Sequence, residues 1–132
     1  MDTIIQRKVE SLTEYARNPR RNDAVVDKMV ASIKEFGFKV PILARSDGLV
    51  VDGHLRLKAA RKLGMLEVPV ILCDEWSEAQ VKAFRLMANR SVTWAEWDEE
   101  LLKLEFADLK GFDFPLDLTG FDAREIEALV KK

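Results

Sequence analysis

The residues best placed to do chemistry form one run, Asp52-Gly53-His54-Leu55-Arg56, called here the junction loop. An apolar run ends at this point and an amphipathic, basic stretch begins, which is typical of a strand that passes directly into a helix. The first N–H groups of a helix have no partner within it, so they can bind an anion. Arg56 would add charge-assisted hydrogen bonds. The junction loop is therefore predicted to bind phosphate.

His54 is the only histidine of the chain. Imidazole titrates near neutral pH, so His54 could donate a hydrogen bond to a phosphate or exchange a proton near it. A simpler interpretation stays open, in which Asp52 or Gly53 only caps the helix and Arg56 is a surface cation. A cation in the first turn opposes the helix dipole, however, and such a local cost is expected at functional sites. His54 is therefore the candidate catalytic residue.

Two other polar clusters could assist the junction loop. Residues 18–21, Asn-Pro-Arg-Arg, form a proline-ordered loop that could close over a phosphate, although plain surface turns share this composition. Asn89 and Arg90 lie at a predicted helix end, where asparagine can stop the helix and arginine complements the dipole. The sequence has no P-loop, HExxH or nucleophile elbow. One histidine and one cysteine exclude a zinc site built from both types.

Composition limits what the chain can be. Its 132 residues are 48% apolar and 33% charged, as expected for one soluble domain with a short appendage. It contains no run of about 18 apolar residues and no signal-peptide pattern, so we expect a cytoplasmic protein without membrane contact. Cys73 lies in an apolar run and is predicted to be an inert core residue in a reducing compartment.

The charge is unevenly distributed. Residues 1–70 carry 13 Lys and Arg against 9 Asp and Glu, a net +4, whereas residues 71–132 carry 8 against 14, a net −6. The junction loop lies in the basic part. The overall charge of −2 is too weak to hold DNA by electrostatics alone. The acidic residues 98–100 suit the start of a helix better than a metal cluster.

Hydrophobic spacing predicts the elements that would position these residues. Predicted strands lie at 4–9, 41–44, 49–51 and 68–73. Predicted helices lie at 23–36, 54–63, 77–89, 97–109 and 122–130. Asp23 is the expected N-cap of the first helix, Gly37 and Gly64 end the first two helices, and Ser77 with Gln80 forms a capping box.

This order predicts a compact mixed α/β core, residues 1–92, followed by a helical extension, residues 93–132. Trp76, Trp94 and Trp97 are expected to pack rather than stack on bases. We find no helix-turn-helix after the core, so sequence-specific DNA recognition by this chain alone is not expected.

The clusters occur in the order found in a known family. The chain resembles the ParB N-terminal domain of the ParB/sulfiredoxin superfamily over residues 4–92. The residues that carry this resemblance are Asn18-Pro19-Arg20, Ser32 to Gly37 leading to Pro41-Ile42, the junction loop with Ala59-Ala60, Val68-Pro69-Val70 and Asn89-Arg90. Residues 97–102 and 118–122 resemble the continuation found in phage and mobile-element proteins, where this domain often precedes a DNA methyltransferase.

The resemblance implies a ParB/sulfiredoxin-like fold, a small mixed sheet with packed helices. It also implies a nucleoside triphosphate site, because ParB proteins bind CTP and sulfiredoxin uses ATP, in each case with the phosphates at the Gly-x-x-Arg loop. Mg²⁺ would be held through Asn89. The implied nucleotide-binding residues are Asn18, Arg20, Asp52, Gly53, His54, Leu55, Arg56, Asn89 and Arg90.

Three departures from the family pattern shape the functional prediction. Partitioning ParB proteins carry Glu-Arg-Arg where this chain has His-Leu-Arg after Gly53, sulfiredoxin needs a cysteine that is absent here, and the usual acidic residue before Asn89 is Ala88. Sulfiredoxin chemistry is therefore not expected, and hydrolysis should be slow or absent.

We predict a module that binds a nucleotide, CTP or ATP, and acts in DNA transactions together with a partner domain or protein. The sequence leaves open whether the chain forms oligomers. One alternative is a weak nucleotide hydrolase or nuclease that uses His54. Another is a protein-interaction domain with a vestigial nucleotide site, whose acidic part, residues 71–132, docks a partner.

Overall fold

The computed structural model describes residues 2–16, 25–93 and 95–130, and its contacts divide the chain into two compact units, Met1–Val92 and Thr93–Lys132. The strands are β1 (Ile4–Lys8), β2 (Ile42–Ala44), β3 (Val50–Asp52) and β4 (Glu67–Leu72). The helices of the first unit are α1 (Val26–Phe36), α2 (His54–Leu63) and α3 (Glu78–Ser91), and those of the second are α4 (Glu99–Gly111) and α5 (Ala123–Val130). Short 3-10 turns lie at Val9–Ser11 and Leu116–Thr119. The predicted α/β class and element order are confirmed.

The first unit is built on one mixed sheet of four strands in the order β1-β4-β2-β3. β4 pairs antiparallel with β1 and parallel with β2, while β2 and β3 form an antiparallel hairpin. β1 is therefore an edge strand. β3 lies at the other end of the sheet and leads directly into α2.

The core lies where the hairpin and β4 meet α2. Ile42, Val50, Leu57, Val68 and Val70 are all fully buried in one cluster. Leu57 is on the inward face of α2 and the other four come from β2, β3 and β4, so the helix and the hairpin share one core. The turn between β3 and α2 is consequently held from both sides.

α1 departs from its prediction at both ends. Asp23, the predicted N-cap, lies outside the described residues; the helix begins at Val26, and Val25 makes no capping side-chain bond. Gly37 ends the helix as predicted, with its N–H donating to the Ile33 carbonyl. Phe36, the last residue of α1, is 48% exposed, because α1 packs mainly on α2 and Ile33 is the buried residue of the helix.

α3 confirms the predicted capping box. The Ser77 hydroxyl accepts the Gln80 N–H at 3.1 Å, and the Gln80 side chain accepts the Ser77 N–H at 2.8 Å. The helix then runs to Ser91, two residues beyond the predicted end. Trp76 packs against Phe84 with ring centroids 4.7 Å apart, as expected for a packing tryptophan.

Cys73 is 2% exposed. Burial raises the pKa of its thiol to about 11, with neighbouring carboxylates acting in the same direction. The thiol therefore stays protonated at neutral pH. The predicted core position of Cys73 is confirmed, and its inertness stays a prediction.

The second unit is a pair of helices with aromatic packing. α4 begins at Glu99 rather than at Trp97, because the Asp98 carboxylate accepts the Leu101 N–H and so occupies the N-cap. The Phe121 ring lies 5.2 Å from Trp97 and 5.3 Å from Phe106. Trp94 lies outside the described residues.

α5 is capped by reciprocal bonds between Asp122 and Glu125. α4 extends to Gly111, two residues beyond its predicted end, and residues 116–119 form a 3-10 turn. In the part of the chain that the structure describes, no helix has the length and apolarity needed to cross a bilayer. Nor do the described residues gather three or more His, Cys, Asp or Glu side chains at a metal site.

Candidate functional site

The junction loop takes a conformation that requires glycine. Gly53 has φ 108° and ψ 23°, in the left-handed region, and a Cβ there would lie 3.1 Å from Ile42 Cγ1 and 3.0 Å from Arg56 Nη2. Gly53 is the N-cap of α2 and supplies no capping side chain, so the first-turn N–H groups lack the usual partner. The first turn also contains no acidic residue. A helix start of this kind, without a capping side chain or an acid, has the features that favour an external anion.

A cavity of about 530 Å³ lies against this turn. The whole junction loop lines it, and Arg85, Ala88 and Asn89 of α3 line it as well. This volume falls within the range typical of small-molecule sites. The structure thus brings two of the three predicted clusters, the junction loop and Asn89, to one cavity.

Arg56 lies in the cavity wall with its guanidinium partly engaged. Nη2 donates to the Pro41 carbonyl at 2.9 Å and lies 3.9 Å from the Asp52 carboxylate. Nε is buried and finds no hydrogen-bond partner among the described residues. Burial lowers the Arg56 pKa while Asp52 opposes this, but an arginine stays charged. A buried donor without a partner costs about 1–3 kcal/mol, so the wall contains an unmet donor.

His54 is 5% exposed at the start of α2. Its Nε2 accepts the backbone N–H of Tyr15 at 3.1 Å, which assigns a neutral imidazole with the proton on Nδ1. Burial is the main cause that lowers its pKa, and the charge of Arg85 is the second. Because Nε2 is engaged, any proton exchange with a ligand would have to pass through Nδ1. The geometry gives His54 a structural bond, and its catalytic role stays a prediction.

Arg85 was not predicted from the sequence. It is 4% exposed, and its Nε and Nη2 donate to the carbonyls of Val51 and Val50 at 3.2 and 2.9 Å. Its guanidinium carbon lies 3.8 Å from the centre of the Tyr15 ring. Arg85 precedes Asn89 by four residues and so shares its helix face. That spacing is the signal that could have identified it.

The other predicted site residues are placed as follows. Asn89 is half-buried in the cavity wall, whereas Arg90 is exposed and does not line the cavity. Asn18 and Arg20 lie outside the described residues. Ala88 lines the cavity where the family pattern has an acidic residue, and Asp52 is the one carboxylate among the described residues that line it.

Comparison with protein families settles the class of the first unit. A model of the ParB N-terminal domain matches residues 1–90, and the chain belongs to this family. A second model, a ParB-methyltransferase HTH domain, matches residues 100–132. The prediction that no helix-turn-helix follows the core was therefore wrong. The connection between α4 and α5 spans residues 112–122, far longer than the usual turn of three or four residues, so the helices did not suggest the motif.

Two curated proteins are similar to part of this chain. The ParB-like nuclease domain-containing protein YnaK of Escherichia coli (strain K12) is 37% identical over 78 residues, which cover 58% of this chain and 90% of that protein. The uncharacterised protein ORF326b of Acidianus two-tailed virus is 41% identical over 77 residues, 57% of this chain. The match spans only 24% of that viral protein.

Solved structures show the same fold. C-terminally truncated ParB from Caulobacter crescentus, complexed with CTP-γ-S, has a TM-score of 0.77 at 20% identity over 98% of this chain and 77% of that one. The same partitioning protein complexed to its centromeric parS site gives 0.53 at 21% identity, over 96% and 70%. Sulfiredoxin from Arabidopsis thaliana gives 0.50 at 24% identity, over 64% and 97%. At these identities the likeness establishes the ParB/sulfiredoxin fold alone.

Proposed function

We propose that this chain is a ParB-like module that binds a nucleoside triphosphate, CTP or ATP, at the junction loop and acts in DNA transactions. One observation carries the proposal: the left-handed Gly53 presents an uncapped helix N-terminus to a cavity of about 530 Å³. A phosphate chain fits such a turn because it accepts hydrogen bonds from backbone N–H groups and is favoured by the helix dipole. Family membership and the CTP-γ-S complex of a similar ParB support it.

The proposed roles follow from position. The N–H groups at the start of α2 and the Arg56 guanidinium would hold phosphate oxygens, and the unmet Nε donor would gain a partner if Arg56 turned to the ligand. Asp52 and Asn89 are the carboxylate and amide of the wall. Mg²⁺ is commonly bound by one or two carboxylates together with substrate phosphates, so these donors fit an ion carried in by the nucleotide. Hydrolysis would be slow or absent, since Ala88 offers no second carboxylate.

The DNA role rests on the comparisons. A ParB-methyltransferase HTH model matches residues 100–132, and a ParB of the same fold was solved on its parS site. A viral protein is among the relatives. On these grounds we propose a cytoplasmic, phage- or mobile-element-type protein that works with a DNA methyltransferase as partner domain or protein. Asn18 and Arg20 are proposed to assist at the nucleotide, whereas Arg90, which does not line the cavity, is not.

Calorimetric titration with CTP, ATP, GTP and UTP, with and without Mg²⁺, tests the nucleotide site. We expect one triphosphate to bind, and Arg56→Ala to weaken it about tenfold to hundredfold, the value of a lost charge-assisted bond. Arg124→Ala, at an exposed position of α5, is the matched control and should bind as wild type does. Circular dichroism checks that both variants are folded. Failure of all four nucleotides to bind would overturn the proposal.

A nuclease or hydrolase is the second candidate, because YnaK carries a nuclease domain in its name. It would require His54, whose Nε2 already accepts the Tyr15 N–H. DNA nicking or phosphate release that disappears in both His54→Ala and His54→Gln would favour this candidate. Partner binding that persists in a protein without nucleotide affinity would instead favour an interaction domain with a vestigial site.

A further inference from the structure

Arg85 carries a buried positive charge beside the junction loop. A buried guanidinium is costly unless it is paired, and buried cations usually have a carboxylate partner. Within the described ranges, no carboxylate pairs with Arg85. Its contacts are the carbonyls of Val50 and Val51 and the face of the Tyr15 ring. The two carbonyls accept from Nε and Nη2, but neither they nor the ring supplies the negative charge of a carboxylate.

Among the described residues, no acid forms an ion pair with Arg85. The Asp52 carboxylate lies 3.9 Å from Arg56, and the Glu14 carboxylate pairs with Arg61 at 2.9 Å and with Lys58 at 3.7 Å. Asp47 and Glu78 line a second cavity together with Arg85, and the Asp47 carboxylate accepts the Leu49 N–H at 3.0 Å. Arg85 therefore contributes to the cavity at the junction loop a positive charge that no ion pair within the described ranges neutralises.

Arg85 also holds the backbone that leads into the junction loop. Val50 and Val51 are the residues of β3 that precede Asp52 and Gly53, and both carbonyls accept from the one guanidinium. A side chain on α3 thereby fixes the end of β3 and the direction in which α2 begins. The same charge acts at the first residue of α2, where it is the second cause of the lowered His54 pKa.

We propose that Arg85 is an anion-positioning residue of this cavity, whose buried charge makes the site prefer ligands with several negative charges, a triphosphate over a monophosphate. The inference rests on the proposed function, in that the anion is taken to be the phosphate chain of the nucleotide. A purely structural Arg85 would affect the binding of all ligands alike. A charged Arg85 in the cavity wall instead changes the ratio between the affinities for triphosphate and monophosphate.

The test compares the ratio of triphosphate affinity to monophosphate affinity between variants. For wild type and Arg85→Gln, the affinities for CTP and CMP, ATP and AMP, and inorganic tripolyphosphate and phosphate are measured by calorimetry. Gln retains a donor for a carbonyl but removes the charge, so the triphosphate-to-monophosphate ratio should fall about tenfold or more. Arg45→Gln is the matched control, since Arg45 also donates to a main-chain carbonyl, that of Trp76, but does not line this cavity. It should leave the ratio unchanged.

Each outcome separates the two proposals. A folded Arg85→Gln protein with an unchanged ratio overturns the role of Arg85 and leaves the nucleotide site standing. A wild-type protein that binds tripolyphosphate but no nucleotide overturns the nucleotide, and the ratio for inorganic anions still tests Arg85. A wild type that binds neither overturns both. If Arg85→Gln does not fold, Arg85→Lys decides: its charge should preserve the ratio, and a folded Lys variant that has lost it contradicts the proposal.

Discussion

The unprotonated Nε2 of His54 accepts the Tyr15 N–H, and this hydrogen bond joins the start of α2 to the segment after β1. That segment is itself bonded to the hairpin, where the Thr13 N–H donates to Gly48 and the Val50 N–H donates to Thr13. Protonation of Nε2 would remove the bond from Tyr15 and place an imidazolium near Arg85 and Lys58, with only Glu14 and Asp52 to offset them. His54 therefore holds the local structure together only while it is neutral.

The stability of the fold should consequently depend on pH. The folded His54 pKa lies below its ordinary value of 6.5, so the unfolded chain binds the proton more tightly. The contribution of His54 is complete above about pH 6.5 and is lost as the pH falls toward the folded pKa. Urea unfolding at pH 7.5, 6.5 and 5.5 should show the free energy of unfolding falling faster for wild type than for His54→Gln.

This comparison isolates one group, because the chain has a single histidine. Gln can accept the Tyr15 N–H through its amide oxygen and does not titrate, so it serves as the matched variant. A difference in stability between the two proteins that stays constant over this pH range would contradict the prediction.

Some residues of the site could be predicted from the sequence and others could not. The junction loop could be predicted because an apolar run, a glycine and a basic helix are local signals. For Arg85 the only local signal is its spacing of four residues from Asn89, and its burial could not be predicted because it arises from contact with β3, which is distant in sequence. The hydrogen bond from Arg56 to the Pro41 carbonyl joins residues 15 positions apart, so local sequence signals do not predict it either.

At the scale of elements, α2 has a left-handed glycine at each end, and the two ends differ in their surroundings. Gly53 and Gly64 have φ of 108° and 72°. A Cβ on Gly53 would crowd Ile42 and Arg56, whereas one on Gly64 would meet nothing within 4 Å. Both positions should carry the conformational penalty of a non-glycine residue, about 1–2 kcal/mol, and only the first adds a steric one.

Gly53→Ala should therefore destabilise the protein by more than Gly64→Ala, by about 1 kcal/mol or more, as expected for overpacking. It should also weaken nucleotide binding, because a moved α2 no longer presents its first turn to the cavity. Chemical denaturation and calorimetry of the two variants measure these effects. Equal losses of stability, or unchanged affinity in Gly53→Ala, would show that the close approach at the junction loop is not required.

Helix boundaries could be predicted where a capping residue marks the helix end. α2 was predicted at its observed bounds because glycines flank it, and α3 was found from its capping box. The start of α4 was placed two residues early, because Trp97 continues the apolar spacing although Asp98 already caps the helix. Recognition of the helix-turn-helix failed for a different reason, since the long 112–122 connection resembles a loop and not a turn.

At the scale of the whole molecule, charge divides between the two units. Residues 1–92 carry 16 Lys and Arg against 12 Asp and Glu, and residues 93–132 carry 5 against 11. The segment that matches an HTH model is thus acidic, although DNA binding normally rests on neutralising many phosphates. If this segment is the part that meets a duplex, its own carboxylates oppose the contact, and firm binding would need a partner.

Fluorescence anisotropy with a duplex of random sequence, titrated from 50 to 200 mM salt, tests this picture. Wild type should bind weakly, with a salt slope that corresponds to about three phosphate contacts or fewer. Replacing two exposed carboxylates of α4, Glu105→Lys with Asp108→Lys, should strengthen binding several-fold and steepen the slope by about 1–2. The pair Glu10→Lys with Glu35→Lys is the control, since it makes the same change in net charge on exposed positions of the first unit. A steep slope in wild type, or equal gains in the two double variants, would show that the 100–132 segment does not face the duplex.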